Sequence, residues 1–216
     1  MRFNRSLLLL VLLSCLLASV NAADNEVTPG LYTDADPAAV AWQPAPGGRG
    51  RYRELLNVEL QRHPRNVVAR VHRAYLLDRA GDHERARRDY DAALAAAAPD
   101  GPQHRHVLWS RGWSRYDMGD VAGALEDWRE SVRQHGGRPF WAAYTFALAY
   151  WTQDDVAKAL AWYDAAVDSN AEWGTKAGME DRISHWRPEQ RDRMRALFEA
   201  WAETGGRAQT DPGLPG

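Results

Sequence analysis

The stretch Gly119-Asp-Val-Ala-Gly-Ala-Leu-Glu-Asp-Trp-Arg-Glu-Ser-Val132 sets a turn signal in front of a helix with apolar residues at fixed offsets. The same arrangement stands upstream as Gly81-Asp-His-Glu-Arg-Ala-Arg-Arg-Asp-Tyr-Asp-Ala-Ala-Leu94. It returns downstream as Asp154-Asp-Val-Ala-Lys-Ala-Leu-Ala-Trp-Tyr-Asp-Ala-Ala-Val167. Aligned, the copies share a small residue (Ala86, Ala124, Ala159) and an aromatic four later (Tyr90, Trp128, Tyr163). Another small residue follows three on (Ala93, Ser131, Ala166), then an aliphatic (Leu94, Val132, Val167). Offsets of four, seven and eight place all of these on one helical face.

Working outward, each copy is preceded by a second helical pattern. Val68, Val71, Ala74, Tyr75 and Leu77 predict a helix over Val67 to Arg79, and the Gly81-Asp82 turn gives the next helix an N-cap at Asp82. That helix runs to about Ala98. The pair recurs as His106 to Met118 with Val121 to Gln134, and as Phe140 to Thr152 with Val156 to Ser169. The interval from Ala86 to Ala124 is 38 residues and that from Ala124 to Ala159 is 35. A two-helix period of this length denotes a solenoid, in which each unit buries its apolar face against the next.

Upstream, Tyr52, Leu55, Leu56 and Leu60 give one more helix from near Arg51, stopped at His63-Pro64. Downstream, Thr175 to Trp186 and Pro188 to Ala202 read as a less regular terminal pair capping the stack, with Met194, Leu197, Phe198 and Trp201 on one face.

The pattern resembles the tetratricopeptide repeat (TPR). The residues that carry the resemblance are Ala74, Gly81, Ala86, Tyr90, Ala93 and Pro99; then Gly112, Gly119, Ala124 and Trp128; then Ala147, Tyr150, Ala159, Tyr163 and Ala166. Pro64 with Asn66 matches the closing hinge of a preceding half-repeat. The resemblance covers about Tyr52 to Asn170 and implies an all-α fold, a short TPR-type solenoid of antiparallel helix pairs with a degenerate C-terminal capping pair. Three arginines depart from the family pattern: Arg111 and Arg115 stand where Leu and Tyr are usual, and Arg73 stands at another such position. Arg111 and Arg115 could pair with Asp127 or Glu130, or receive an anionic ligand. The first interval carries four extra residues, placed at Gly101 to His104.

The domain reading follows. Residues 1–22 form a secretory signal peptide: Arg2 and Arg5 precede the apolar run Leu7 to Leu17, and Val20-Asn21-Ala22 offers a cleavage site. The run is too short for a comfortable membrane span, and no other stretch is long and apolar enough for one. Residues 23–50 form an extended Pro/Gly-rich arm anchored by Trp42, 51–203 the helical repeats, and 204–216 a disordered tail. Cys15, the single cysteine, follows Leu12-Leu13-Ser14 as in a lipobox, so a lipoprotein anchored through Cys15 is the alternative to simple periplasmic export. One cysteine leaves no disulfide.

Charge excludes some partners. The chain has a formal charge of −2, and losing Arg2 and Arg5 leaves 25 basic against 29 acidic residues without a basic run. Nucleic-acid binding therefore has no electrostatic support. His104 and His106 stand two apart, while His63, His72, His83, His135 and His185 are scattered and read as surface or capping residues. No cluster has metal-ligand spacing, no cofactor motif appears, and no acids form a recognisable catalytic pair, so the reading is non-catalytic, with no metal and no cofactor.

In TPR proteins the first helices of successive repeats line the concave surface. The resemblance places Tyr75, Trp109, Trp113, Tyr116, Trp141, Tyr144 and Trp151 on that surface, with Val68, Val71, His106 and Leu148 among them. Ten tryptophans are an unusual complement, and rings give large contact area with few torsions to freeze. The same rings would be core if the arm or the capping helix lay on them. The expected function is a protein- or peptide-binding scaffold or adaptor in the bacterial cell envelope. The alternatives are a glycan- or peptidoglycan-associated enzyme or accessory, and a self-associating structural protein.

Overall fold

The computed structural model describes residues 26–40 and 47–206. The signal segment with Cys15, the arm anchor Trp42 and the tail from 207 onward lie outside the described residues. Among the described residues there are nine α-helices: α1 (Gly48–Arg62), α2 (Val67–Arg79), α3 (His83–Ala96), α4 (Pro102–Asp117), α5 (Val121–His135), α6 (Ala142–Thr152), α7 (Val156–Ser169), α8 (Lys176–Ile183) and α9 (Pro188–Glu203). A 3-10 turn, Ala171–Gly174, joins α7 to α8. The fold is the all-α repeat solenoid that the periodicity implies.

Three hairpins, α2/α3, α4/α5 and α6/α7, form the stack, with α1 on α2 at one end and α9 on α6 and α7 at the other. Each hairpin turns in the same way. Gly81 and Gly119 adopt left-handed φ values of 81° and 86°, and the aspartate that follows caps the next helix: Asp82 accepts from Arg85 N and Asp120 from Gly123 N. The third turn keeps the cap, Asp155 to Lys158 N, but places Asp154 in the left-handed region at φ 59°.

The repeat positions interlock as size-matched pairs. Tyr90, Trp128 and Tyr163 are buried opposite Ala74, Gly112 and Ala147, which are spaced at the same two intervals. The indole of Trp128 lies so close to Gly112 that a Cβ there would stand 2.3 Å from Nε1, which donates to the Trp109 carbonyl at 3.2 Å. The larger ring goes with the smaller partner.

A second slot repeats with different chemistry. Arg73 grips Asp89 with two hydrogen bonds of 2.7 and 2.6 Å, and Arg111 grips Asp127 with two of 2.8 and 2.7 Å. Arg115 joins Asp127 at 3.3 Å. The departures from the family pattern are thus ion pairs between the two helices of a hairpin. At the corresponding position of the third hairpin Phe146 packs against Trp162, ring centroids 4.7 Å apart.

Two boundaries differ from the sequence reading. The extra residues at 101–104 extend the start of α4, which begins at Pro102, a residue suited to the first helical turn, rather than at His106. The helix expected over Thr175 to Trp186 ends at Ile183, which frees Trp186 to leave the helical line.

The arm is docked. Tyr32 N donates to Ser169 Oγ at 2.7 Å, Asp34 bridges the segment between α5 and α6 by backbone bonds to Arg138 and Phe140, and Tyr32 lies 5.5 Å from Trp162. Farther along, Asp36 is buried and accepts the indole N–H of Trp141 at 3.0 Å, while Ala38 O accepts from His106 Nδ1 at 2.8 Å. His106 and Trp141 are one repeat interval apart, so two successive first helices hold the arm with ring N–H groups at the same register. The extra turn of α4 contributes Arg105, 3.5 Å from Asp36.

Candidate functional site

The first helices of the hairpins, α2, α4 and α6, turn one side toward a cavity of about 760 Å³. From α2 come Val71, His72, Tyr75 and Arg79; from α4 His106, Trp109, Ser110, Trp113 and Asp117; ahead of and within α6, Phe140, Trp141 and Tyr144. The C-terminal segment closes one side with Trp173, Arg182, Trp186, Arg187 and Gln190, and Ala39, Val40 and Arg49 border the other.

Helical spacing explains why these rings meet. Trp109 and Trp113 are four apart on α4, and Val71 and Tyr75 hold the equivalent positions on α2. Tyr75, Trp109, Trp113 and Tyr144 are half-buried and border the cavity, whereas Phe140 is 45 % exposed at its mouth.

Two of the seven expected groove residues lie off the cavity wall, and a third is covered. Tyr116 does not line the cavity: it is buried, its hydroxyl meets Thr152 Oγ1 at 2.7 Å, and Arg193 of α9 lies over its ring. Trp151, at the same repeat position in α6, packs against the main core cluster and is also off the cavity wall. Tyr116 stands one helical turn too far along, where α9 covers the stack. Trp141 borders the cavity but is 0 % exposed, because the arm lies on it and Asp36 takes its N–H. It anchors the arm. Leu148, read with the groove, is likewise wholly core, and Val68 is exposed but off the wall.

The capping segment fills part of the concave side. Trp186 lies among Trp113 at 5.5 Å, Tyr144 at 5.8 Å and Trp173 at 6.3 Å, centroid to centroid. Arg187 and Gln190 fasten it to Asp117 at 2.6 and 2.7 Å. The two alternatives for the groove are thus both realised, one at each end: own residues occupy the α6 end, and open volume remains toward α2. Sequence reasoning missed Trp186 and Arg187 because neither belongs to a repeat position; a break of helix before Pro188 is the one local hint.

His72, read as scattered, meets the groove residue His106 here. His72 and His106 have ring centroids 6.3 Å apart, and His72 Nδ1 is 2.8 Å from the Tyr52 hydroxyl. Burial holds both imidazoles below the usual histidine range, and their proximity lowers His72 further. In His106 the bond to Ala38 and the charge of Asp36 pull the other way, less strongly. A neutral His106 donating from Nδ1 leaves Nε2 as an acceptor, and that buried atom has no hydrogen-bond partner among the described residues. Asp117 is raised by burial, which outweighs the lowering by Arg187 and Gln190. Among the described residues no group of three His, Cys, Asp or Glu side chains is placed to hold a metal ion, and no helix is long and apolar enough to cross a membrane.

A family model for the tetratricopeptide repeat matches residues 48–103 and 110–172. The chain is a tetratricopeptide-repeat protein. The first match takes in α1 to α3 and the second most of α4 through α7, so the Arg–Asp slot and the Phe146–Trp162 slot both belong to TPR hairpins. No curated protein matches the chain, and no solved structure does. TPR repeats generally mediate protein–protein interaction, and their proteins are typically non-catalytic scaffolds. The cavity lies where first helices of adjacent TPR units face one another. Its C-terminal wall, residues 173–190, comes after the matched repeats.

Proposed function

We propose that this chain is an exported bacterial scaffold that holds a segment of a partner protein in the aromatic cavity between the first helices of its repeats. The observation that carries the reading is the cavity itself. At about 760 Å³ it falls in the size range of ligand pockets, and Tyr75, Trp109, Trp113 and Phe140 offer rings with few torsions to freeze. An extended or helical segment would lay apolar side chains on those rings, while Asp117 and the surrounding arginines set its register.

Export is supported by Arg2 and Arg5 ahead of the Leu7 to Leu17 run and by Val20-Asn21-Ala22 at its end. Cleavage after Ala22 gives a free periplasmic chain; a lipid on Cys15 would give an anchored one. Mass spectrometry of the mature N-terminus in fractionated bacterial cells distinguishes Ala23 from a lipidated Cys15, and an uncut N-terminus in the cytoplasmic fraction refutes export.

Binding is tested by a photo-crosslinking residue at Phe140 in the native envelope. A discrete protein adduct is expected, and it should weaken when Trp109 is changed to Ala. Adduct formation unaffected by that change would move the binding surface away from the cavity.

A further inference from the structure

Two polar atoms of α4 are left unanswered by the fold. Nε2 of His106 and Nε1 of Trp109 are buried, and neither has a hydrogen-bond partner among the described residues. His106 as a whole is only 7 % exposed. Both residues border the aromatic cavity, and they stand three apart on α4, so they share its inner side. Other indoles of the stack are met: Nε1 of Trp128, Trp141 and Trp201 has an acceptor at 3.2, 3.0 and 2.8 Å. A buried polar group left unpaired loses more than a made hydrogen bond gains, so an unpaired donor and an unpaired acceptor on one cavity wall point to a ligand.

The partners of His106 fix what that ligand must offer. The Ala38 carbonyl can only accept, so His106 Nδ1 carries a proton. In the neutral ring, which burial favours, Nε2 is therefore an acceptor. The indole Nε1 can only donate. One hydroxyl answers both, since it gives one hydrogen and accepts on its lone pairs. A carboxylate cannot donate, and an ammonium cannot accept. A primary amide would bring a second N–H, and a sugar several hydroxyls, to a floor with one unpaired acceptor and one unpaired donor.

We propose that the α4 wall of the cavity receives a tyrosine side chain of the partner segment, its hydroxyl donating to His106 Nε2 and accepting from Trp109 Nε1. The proposal rests on reading the cavity as a protein-binding site. A phenol suits the surroundings, because Tyr75, Trp113 and Tyr144 border the same space and rings pair well edge to face. Both polar atoms are covered in the free chain. Trp109 and His72, the half-buried rings at this wall, shift to admit the hydroxyl by a change of rotamer. The rings give the tyrosine its contact area; the two nitrogens distinguish it from phenylalanine.

The test follows the indole N–H signals of the full mature chain by heteronuclear NMR during titration with N-acetyltyrosinamide and, separately, N-acetylphenylalaninamide. The tyrosine probe is expected to bind about tenfold more tightly and to move the Trp109 signal downfield. Trp109→Phe identifies that signal by its loss. It keeps a ring, has no hydrogen bond at Nε1 to lose, and should shrink the gap between the probes to about threefold. The remaining indole signals report whether the variant is folded. Equal binding of the two probes, each weakened by Phe140→Ala, overturns the hydroxyl site and leaves the cavity reading in place. A gap that persists undiminished in Trp109→Phe also overturns it. Absence of binding by both probes, together with a Phe140 adduct indifferent to Trp109→Ala, overturns both readings. Tighter binding of an N-acetylglucosamine trisaccharide than of the tyrosine probe, lost in Trp109→Phe, overturns the proposal in favour of a glycan.

Discussion

The first two hairpins and the third solve one packing problem in opposite ways. Where Arg73 meets Asp89 and Arg111 meets Asp127, the third hairpin has Phe146 on Trp162. The difference follows access to water. The side chains of Arg73 and Arg111 keep 20 % and 17 % of their surface, so each guanidinium retains an edge of solvation. Phe146 and Trp162 are at 1 % and 2 %, because the arm brings Tyr32 onto Trp162. A charged pair in that closed slot would lose its hydration on all sides, and the attraction between the partners seldom repays that loss. The slot fixes a shape; its exposure selects the chemistry.

The comparison breaks most visibly at Asp127. Asp127→Ala takes from Arg111 its nearest carboxylate, leaving it Asp91 at 3.7 Å, and leaves Arg115 with Asp120 at 3.8 Å and the Gly123 carbonyl; it should destabilise the chain by about 3 kcal/mol in urea titration. Replacing Arg111 and Asp127 together by Met and Leu should recover most of that loss. If the single replacement loses less than about 1 kcal/mol, the pair is already wet and the contrast with the third hairpin has another cause.

Gly112→Ala gives the second hairpin the small residue of its neighbours, and should lose about 1–3 kcal/mol by pressing on Trp128. In a Trp128→Tyr background, which copies the first and third hairpins, the loss should fall; additive effects would show that the two positions are not matched.

Acid separates the hairpins as well, with a smaller effect. His72 and His106 stand where the third hairpin has Thr145 and Trp141. Their folded-state pKa values lie below the unfolded value of about 6.5, so the unfolded chain binds protons first. Stability contributed by the neutral rings is full above about pH 6.5 and declines as pH falls through that value. Urea midpoints between pH 7.5 and 5 should show this acid limb, flattened in His72→Gln; an unchanged limb removes His72 from the account.

The smallest effect belongs to the turns. Asp154→Gly restores the residue type of Gly81 and Gly119 at a left-handed φ and should raise stability by less than about 1 kcal/mol. A loss instead would mean that the Asp154 side chain holds the turn.

The hairpins were legible from sequence because Ala86, Tyr90 and Ala93 recur at intervals set by helix geometry. Tyr75, Trp109, Trp113 and Tyr144 were placed on the cavity wall by the same register. Tyr116 shares that register but lies beneath Arg193 of α9, and Trp151 packs against the core cluster; nothing in a local period tells how far a terminal helix reaches. The arm's hold on Trp141 and His106 is illegible for a related reason: their partners, Asp36 and Ala38, are about a hundred and about seventy residues away in an irregular segment. Contacts that repeat are readable; contacts made once, between distant stretches, are not.

The docked arm has a consequence for the order of folding. Residues 32–38 leave the ribosome before any hairpin, yet their seat is built from α4, α6 and the last residue of α7. A solenoid can propagate from neighbour to neighbour, but this strap can close only after Ser169 is available. Its long loops make it a late step, and they bind the fate of the third hairpin to the beginning of the chain. The first described segment therefore has nowhere to dock until the last hairpin has arrived.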